Sequence, residues 1–287
     1  MKHAYLIMAH NNPGVLRVLL EMIDDERNDI FLHVDKKSNL LKENKFAMKK
    51  AGLYVLEKRI NVIWGGYPQI EAEMLLFRES NKHGPYSYYH LLSGVDLPIK
   101  SQDYIHSFMD EHQGKEFIGY MPKSDKLDRE IRKRVGRYWV MSDWFRTDNI
   151  VKKAIRKAAN IVVGLIPRKM DMDFKKGANW VSITESCVRY LLEHDRLVGQ
   201  RFGRCYLADE VFLQTIVYTN PSLRASLYRP ESGRSGYMRE IDWNRGKPYT
   251  WTIADKDMLS HSDALFARKF SEADMEIVNW VRDELGK

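Results

Sequence analysis

The chain has 287 residues, of which 44% are hydrophobic and 30% charged, and its formal net charge is +7. This balance excludes a disordered or fibrous chain and allows one large domain or two small ones. The positive charge suits an anionic partner, whether phosphate, nucleic acid or an acidic membrane face.

Residues 4–9 read as a buried strand, followed by a turn at Asn11, Asn12, Pro13 and Gly14 and a helix over 15–23. A second strand over 29–34 ends at Asp35, Lys36 and Lys37. Short strands are predicted at 53–56 and 61–64, then a turn through Gly65 and Gly66 and an amphipathic helix over 69–82. A strand at 86–92, a helix over 101–112 with Ser101 as N-cap, and a strand at 114–120 follow. Strands alternating with helices predict an α/β chain with a central, mostly parallel sheet. In such sheets ligands sit beyond the carboxyl ends of the strands. His10, Asp35, Trp64 and Asp96 crowd those ends and mark a candidate cleft.

The second half is more basic in pattern. Residues 123–137 are densely charged, and Trp139, Trp144 and Phe145 follow. A helix is predicted over 150–167, with Val151, Ile155, Ala158, Val162 and Leu165 on one face and Lys152, Lys153, Arg156 and Lys157 on the other. That pattern fits an anionic membrane surface as well as ordinary packing. A strand at 181–183 leads to a helix over 184–193 capped by Thr184. Asp209 and Glu210 then open the apolar stretch 211–218. Free N–H groups and the helix dipole favour an ionised carboxylate at a helix start. Such a carboxylate in a cleft can take a proton from an alcohol. Residues 222–228 read as a strand, 230–249 as a long loop, 255–260 and 263–270 as short helices, and 272–285 as a closing helix.

Two cysteines, Cys187 and Cys205, allow one disulfide, yet so few in this length fit a reducing compartment better. The apolar run after Met1 is too short for a signal peptide, and no stretch approaches the ~20 apolar residues of a membrane span. A cytoplasmic protein with at most peripheral membrane contact is expected. No metal-binding spacing is present; Asp171 and Asp173 match an Asp-x-Asp pair in spelling but follow a loop. Cations cluster late: Arg229, Arg234, Arg239, Arg245 and Lys247, then Arg268 and Lys269. Fixed cations can neutralise a diphosphate where a metal would otherwise act. A nucleic-acid-binding protein is a rival reading, supported by charge and interspersed aromatics but by no recognised module.

Several stretches together resemble the core-2/I-branching enzyme family of glycosyltransferases, which includes β-1,6-N-acetylglucosaminyltransferases and protein xylosyltransferases. They begin at Ala4, Phe31, Val62, Tyr88, Gly177, Ala208 and Leu265 and span nearly the whole chain. The segment from Ser93 through Asp96 and Pro98 to Lys100, and the segment from Leu265 to Phe270, are the most specific. The resemblance implies a GT-A-like, Rossmann-type fold in one domain, with 1–120 as the nucleotide-sugar half and 121–287 as the acceptor and catalytic half. It implies a UDP-sugar donor, inversion at the anomeric carbon and no metal. Glu210 is then the general base, and Lys269 holds the donor diphosphate. A second basic contact comes from Arg239, Arg245 or Lys247, and the resemblance does not choose among them. Asp35 meets the nucleoside with Trp64 beside it; His10, Asp96 and Arg268 complete the donor side. Trp180 and Asp209 belong to the acceptor side. The animal members carry an anchor, a stem and many cysteines that this sequence lacks, which favours a bacterial cytosolic enzyme acting on a glycan or lipid-linked oligosaccharide. A catalytically silent glycan-binding domain on the same fold is the other alternative.

Overall fold

The computed structural model describes residues 1–166, 168–230 and 235–286. Its central sheet has the order β3-β2-β1-β4-β6, built from β1 (His3–Ala9), β2 (Asn28–Val34), β3 (Gly52–Val55), β4 (Tyr88–Ser93) and β6 (Ser182–Thr184). All neighbours are parallel except β4 and β6. A second sheet pairs β5 (Asp96–Pro98), β8 (Phe266–Arg268) and β7 (Arg239–Ile241) in the order β5-β8-β7.

The helices are α1 (Pro13–Met22), α2 (Leu40–Glu43), α3 (Tyr67–Asn81), α4 (Gln102–Glu111), α5 (Asp125–Val135) and α6 (Ile150–Gly164). The rest are α7 (Glu185–Glu193), α8 (Asp195–Phe202), α9 (Phe212–Thr219), α10 (Pro221–Ala225), α11 (Lys256–Ser260) and α12 (Met275–Trp280). Successive side chains of a strand point to opposite faces. In β1, Ala4, Leu6 and Met8 therefore join the core that includes residues of α3, α7 and α9. Tyr5, Ile7 and Ala9 join the core that includes α1, α12 and β8. Both faces of the sheet are covered, so β1, β2 and β4 are apolar-rich and buried throughout.

The expected α/β architecture with a mostly parallel, helix-flanked sheet is present. Ser101 caps α4 by accepting from Tyr104 N, and Thr184 caps α7 by accepting from Cys187 N. Several expectations are corrected. Residues 61–64 form no strand, and 114–120 contribute only isolated bridges at Glu116 and Phe117. The segment read as a strand at 222–228 is largely α10, because Pro221 sits at its first turn and Asn220 Oδ1 caps Ser222 N and Leu223 N. The supposed loop 230–249 contains β7, and the supposed helix 263–270 contains β8. The helix of 150–167 ends at Gly164, and Pro167 lies outside the described residues. Cys187 and Cys205 are separate buried thiols, not a disulfide. Burial pushes the Cys187 thiol well above its usual range and Cys205 up to about 12. No described helix is long and apolar enough to cross a membrane.

Candidate active site

The carboxyl ends of β1, β2 and β4 open on one rim. His10 follows β1, exposed, and its carbonyl accepts from Ser38 Oγ at 2.7 Å. Asp35 follows β2 and accepts from Lys37 N at 2.8 Å. This loop is tied to the run before Trp64 by Lys36 N to Ile60 O at 3.0 Å and Lys37 Nζ to Val62 O at 2.7 Å. Trp64 is exposed, lies edge-on to Tyr206 and carries the Arg146 guanidinium 3.8 Å above its ring. Gly65 O accepts from Leu207 N at 2.9 Å, which joins the Trp64 loop to the segment leading to Glu210.

Glu210 does not begin a helix; it ends a 3-10 turn, Ala208–Glu210, one residue before α9. Leu207, just before the turn, sits in the left-handed region at φ 49°. Non-glycine residues hold that conformation only where surrounding structure imposes it. Glu210 Oε2 meets Arg134 Nη1 at 2.6 Å and Lys176 Nζ at 3.3 Å. Its Oε1 accepts no hydrogen bond among the described residues. Arg134 also holds Glu130 Oε1 at 2.6 Å. The neighbouring Asp209 is half-buried, and loss of hydration together with the Glu210 charge pushes its carboxyl up to about 7. At Asp209, loss of hydration outweighs the local N–H groups and works against the ionised form expected there. Behind it, α3 presents the fully buried Glu73, whose Oε1 accepts from Asn179 Nδ2 at 3.2 Å while Oε2 has no partner. Burial and the Asp209 charge raise the Glu73 carboxyl well above the ordinary carboxylate range.

The segment 177–180 runs from this acidic cluster to the cations. Gly177 N donates to Glu210 O at 2.9 Å, and a Cβ on Gly177 would stand 1.7 Å from Gly119 O, so only glycine fits. Trp180 is half-buried, with the Arg268 guanidinium 4.2 Å over its ring. The β5–β8 register sets Asp96 opposite Arg268, and their side chains pair at 2.6 Å. Asp96 is buried and also accepts from Ser93 N at 2.9 Å, so it fixes the arginine.

The three loop cations left open by the sequence differ sharply. Arg239 belongs to β7 and is buried, donating to Tyr237 O, Val181 O and Ser182 Oγ. Burial lowers its guanidinium to about 10. Arg245 pairs with Asp242 at 2.5 Å and Asp255 at 2.6 Å. Lys247 is exposed and has no side-chain partner among the described residues, as is true of the half-buried Lys269. Trp251 N donates to Lys269 O at 3.0 Å, which lays the loop carrying Lys247 beside Lys269. Arg234 lies outside the described residues. Asp171 and Asp173 pair with Arg201 and Lys175 at 2.8 and 2.9 Å.

The family model described as Core-2/I-Branching enzyme matches residues 3–265. The chain belongs to that family. Its members are glycosyltransferases, and curated relatives include xylosyltransferases. Xylosyltransferase 2 of Rattus norvegicus is 22% identical over 294 residues, covering 93% of this chain and 32% of that protein. Xylosyltransferase of Ciona intestinalis is 24% identical, covering 96% of this chain and 33% of that protein. The chain thus spans about a third of the length of the curated relatives it matches. Among solved structures, apo mouse xyloside xylosyltransferase 1 matches over 93% of this chain and 96% of its own, at 13% identity and a TM-score of 0.39.

Within this family member, the structure gathers Asp209, Glu210, Trp180, Asp96 and Arg268 into one connected cluster. It engages Arg239 and Arg245 elsewhere. Sequence reasoning missed Arg134, Lys176, Glu73 and Asn179. Arg134 carried a signal: it falls on the buried face of α5 with Leu127 and Ile131. So did Glu73, an acid on the inward face of α3.

Proposed function

We propose that this chain moves a sugar from a UDP-sugar to a hydroxyl of a glycan acceptor, inverting the anomeric carbon and needing no metal. Xylose and N-acetylglucosamine are the favoured sugars, the former because the curated relatives are named xylosyltransferases. Synthesis of a surface polysaccharide is the favoured setting. One observation carries the reading: Glu210 Oε2 is clamped by Arg134 and Lys176 while Oε1 is open, on the rim that also holds the unpaired Lys269.

In this mechanism the acceptor O–H gives its proton to Glu210 Oε1 as the oxygen attacks the anomeric carbon. The bond from that carbon to the diphosphate oxygen breaks, and the electron pair leaves with UDP. Lys269 and Lys247 meet the growing negative charge, the role a divalent ion would otherwise take. Trp180 offers an apolar face to a pyranose ring. Arg134 and Lys176 keep the base in place.

The test is thermal unfolding with UDP, GDP or CMP, each with EDTA or with manganese. A ligand bound only by the folded state raises the melting temperature with occupancy. Stabilisation by UDP in EDTA is expected. Stabilisation that requires manganese would overturn the metal-free mechanism, and none with any nucleotide would overturn the donor class.

A further inference from the structure

Helix α6 stands apart from every other helix in what it shows to solvent. Ile150, Val151, Ile155, Ile161, Val162 and Leu165 are all exposed, Ile150 at 79% and Leu165 at 80%. At about 100° per residue these positions fall on one arc of roughly 140°. Ala154 and Ala158 lie inside the same arc and are also exposed. No polar side chain interrupts it. The opposite side fastens the helix to the protein: Asn160 exchanges hydrogen bonds with the Val140 backbone at 3.0 and 3.1 Å, and Arg156 donates to Phe145 O at 3.0 Å. The apolar face is thus held outward by specific bonds on the inward one.

The charge within the helix is of one sign. Lys152, Lys153 and Lys157 flank the arc, and no acidic residue occurs from 149 to 166. Asp148, just before the helix, lies 3.7 Å from Lys153. An exposed aliphatic face of this extent marks an interaction surface rather than ordinary solvent-facing structure. Protein interfaces favour Tyr, Trp and Arg at their centres, and this face is purely aliphatic. A second copy would bring the same lysine rows against these, a repulsive pairing. An anionic bilayer complements both features, with acyl chains for the arc and headgroups for the lysines.

We propose that α6 lies in the plane of an anionic lipid surface and docks the protein there. The helix is also braced to the rim of the cleft. The segment it fastens, 140–145, leads to Arg146 over Trp64, and Trp139 packs on Tyr206 at 4.9 Å. Docking therefore sets the cleft beside the bilayer surface. The inference stands on the helix alone; where the transfer reading also holds, it names the acceptor class as one presented at a membrane.

The experiment is flotation of the full chain with vesicles of phosphatidylcholine, alone or with one-third phosphatidylglycerol, at low and high salt. Two variants accompany it: Ile161→Glu with Leu165→Glu, and Lys152→Glu with Lys153→Glu and Lys157→Glu. All five side chains are exposed, and unchanged circular dichroism and melting temperature verify folding. Binding to the phosphatidylglycerol vesicles is expected, weakened by salt and reduced about tenfold or more in each variant. No binding to those vesicles at low salt overturns the proposal, as does binding that both variants retain. A concentration-dependent dimer abolished by Ile161→Glu, without vesicle binding, assigns the face to a second copy and also overturns it. UDP stabilisation measured on the same variants keeps the two readings separate, since it tests the donor site alone.

Discussion

The acidic and basic parts of the candidate site hold their charges in opposite ways. On the acidic side, Glu210 is gripped at one oxygen by Arg134 and Lys176, from outside the 3-10 turn that carries it. On the basic side the arginines are the gripped partners: Arg268 by Asp96, Arg245 by Asp242 and Asp255, Arg239 by carbonyls and a hydroxyl. The planar guanidinium fork suits fixed, multiple bonds, whereas the lysine ammonium is a mobile point charge. The arginines are engaged within the protein, whereas Lys247 and Lys269 have no side-chain partner among the described residues, as the proposed diphosphate role requires. A count of cations in a loop therefore overstates how many can reach a diphosphate.

The sharpest way to break this contrast is Glu210→Gln, which keeps shape and removes the proposed base. A loss of transfer of about a thousandfold is expected, with UDP stabilisation retained. Near-normal turnover would remove Glu210 from the chemistry. Next in size is Gly177→Ala, whose Cβ has no room beside Gly119 O. It should destabilise the fold by about 3 kcal/mol or more, read from denaturant unfolding. Lys269→Ala and Lys247→Ala should each weaken UDP binding about tenfold, the scale of one charge-assisted contact. Arg245→Ala gives the complement: a lower melting temperature with UDP affinity unchanged. If calorimetry instead showed Arg245→Ala losing UDP affinity and Lys247→Ala keeping it, the division between engaged and ligand cations would be reversed.

The smallest effect is on pH dependence. Asp209 titrates at about 7 in the folded chain, above its ordinary 3.8. The folded state therefore holds this proton more tightly, and the stability it contributes is lost as pH rises through that window. Asp209→Asn should flatten the decline, seen as a smaller difference in melting temperature between about pH 5 and about pH 8. An unchanged slope would mean that Asp209 is already ionised at low pH.

The first half of the fold was legible because its signals are local and repeated. Strand β1 carries the apolar run 4–9 and β2 the run 30–32, and Ser101 advertises its helix start with a hydroxyl cap, as Thr184 does further on. In the last third the helical pieces at 255–260 and 272–285 were legible, but the strands were not. Strands β7 and β8 have three residues each, too few for alternation to show, and they form because distant segments pair. The site divides along the same line. Glu210 was visible as an acid opening an apolar stretch, while its clamp comes from residue 134, far away in sequence. Which loop cation is unengaged depended on Asp242 and Asp255, whose carboxylates reach Arg245 only through the folded turn.

The two buried thiols have a practical consequence. Alkylation proceeds through the thiolate, and both Cys187 and Cys205 are enclosed and shifted away from that form. A maleimide dye should therefore ignore the native chain and report on a single introduced cysteine. Placed at Ile161 it would sense the environment of α6, and placed at Lys247 it would sense the exposed loop beside Lys269, without first replacing either natural cysteine.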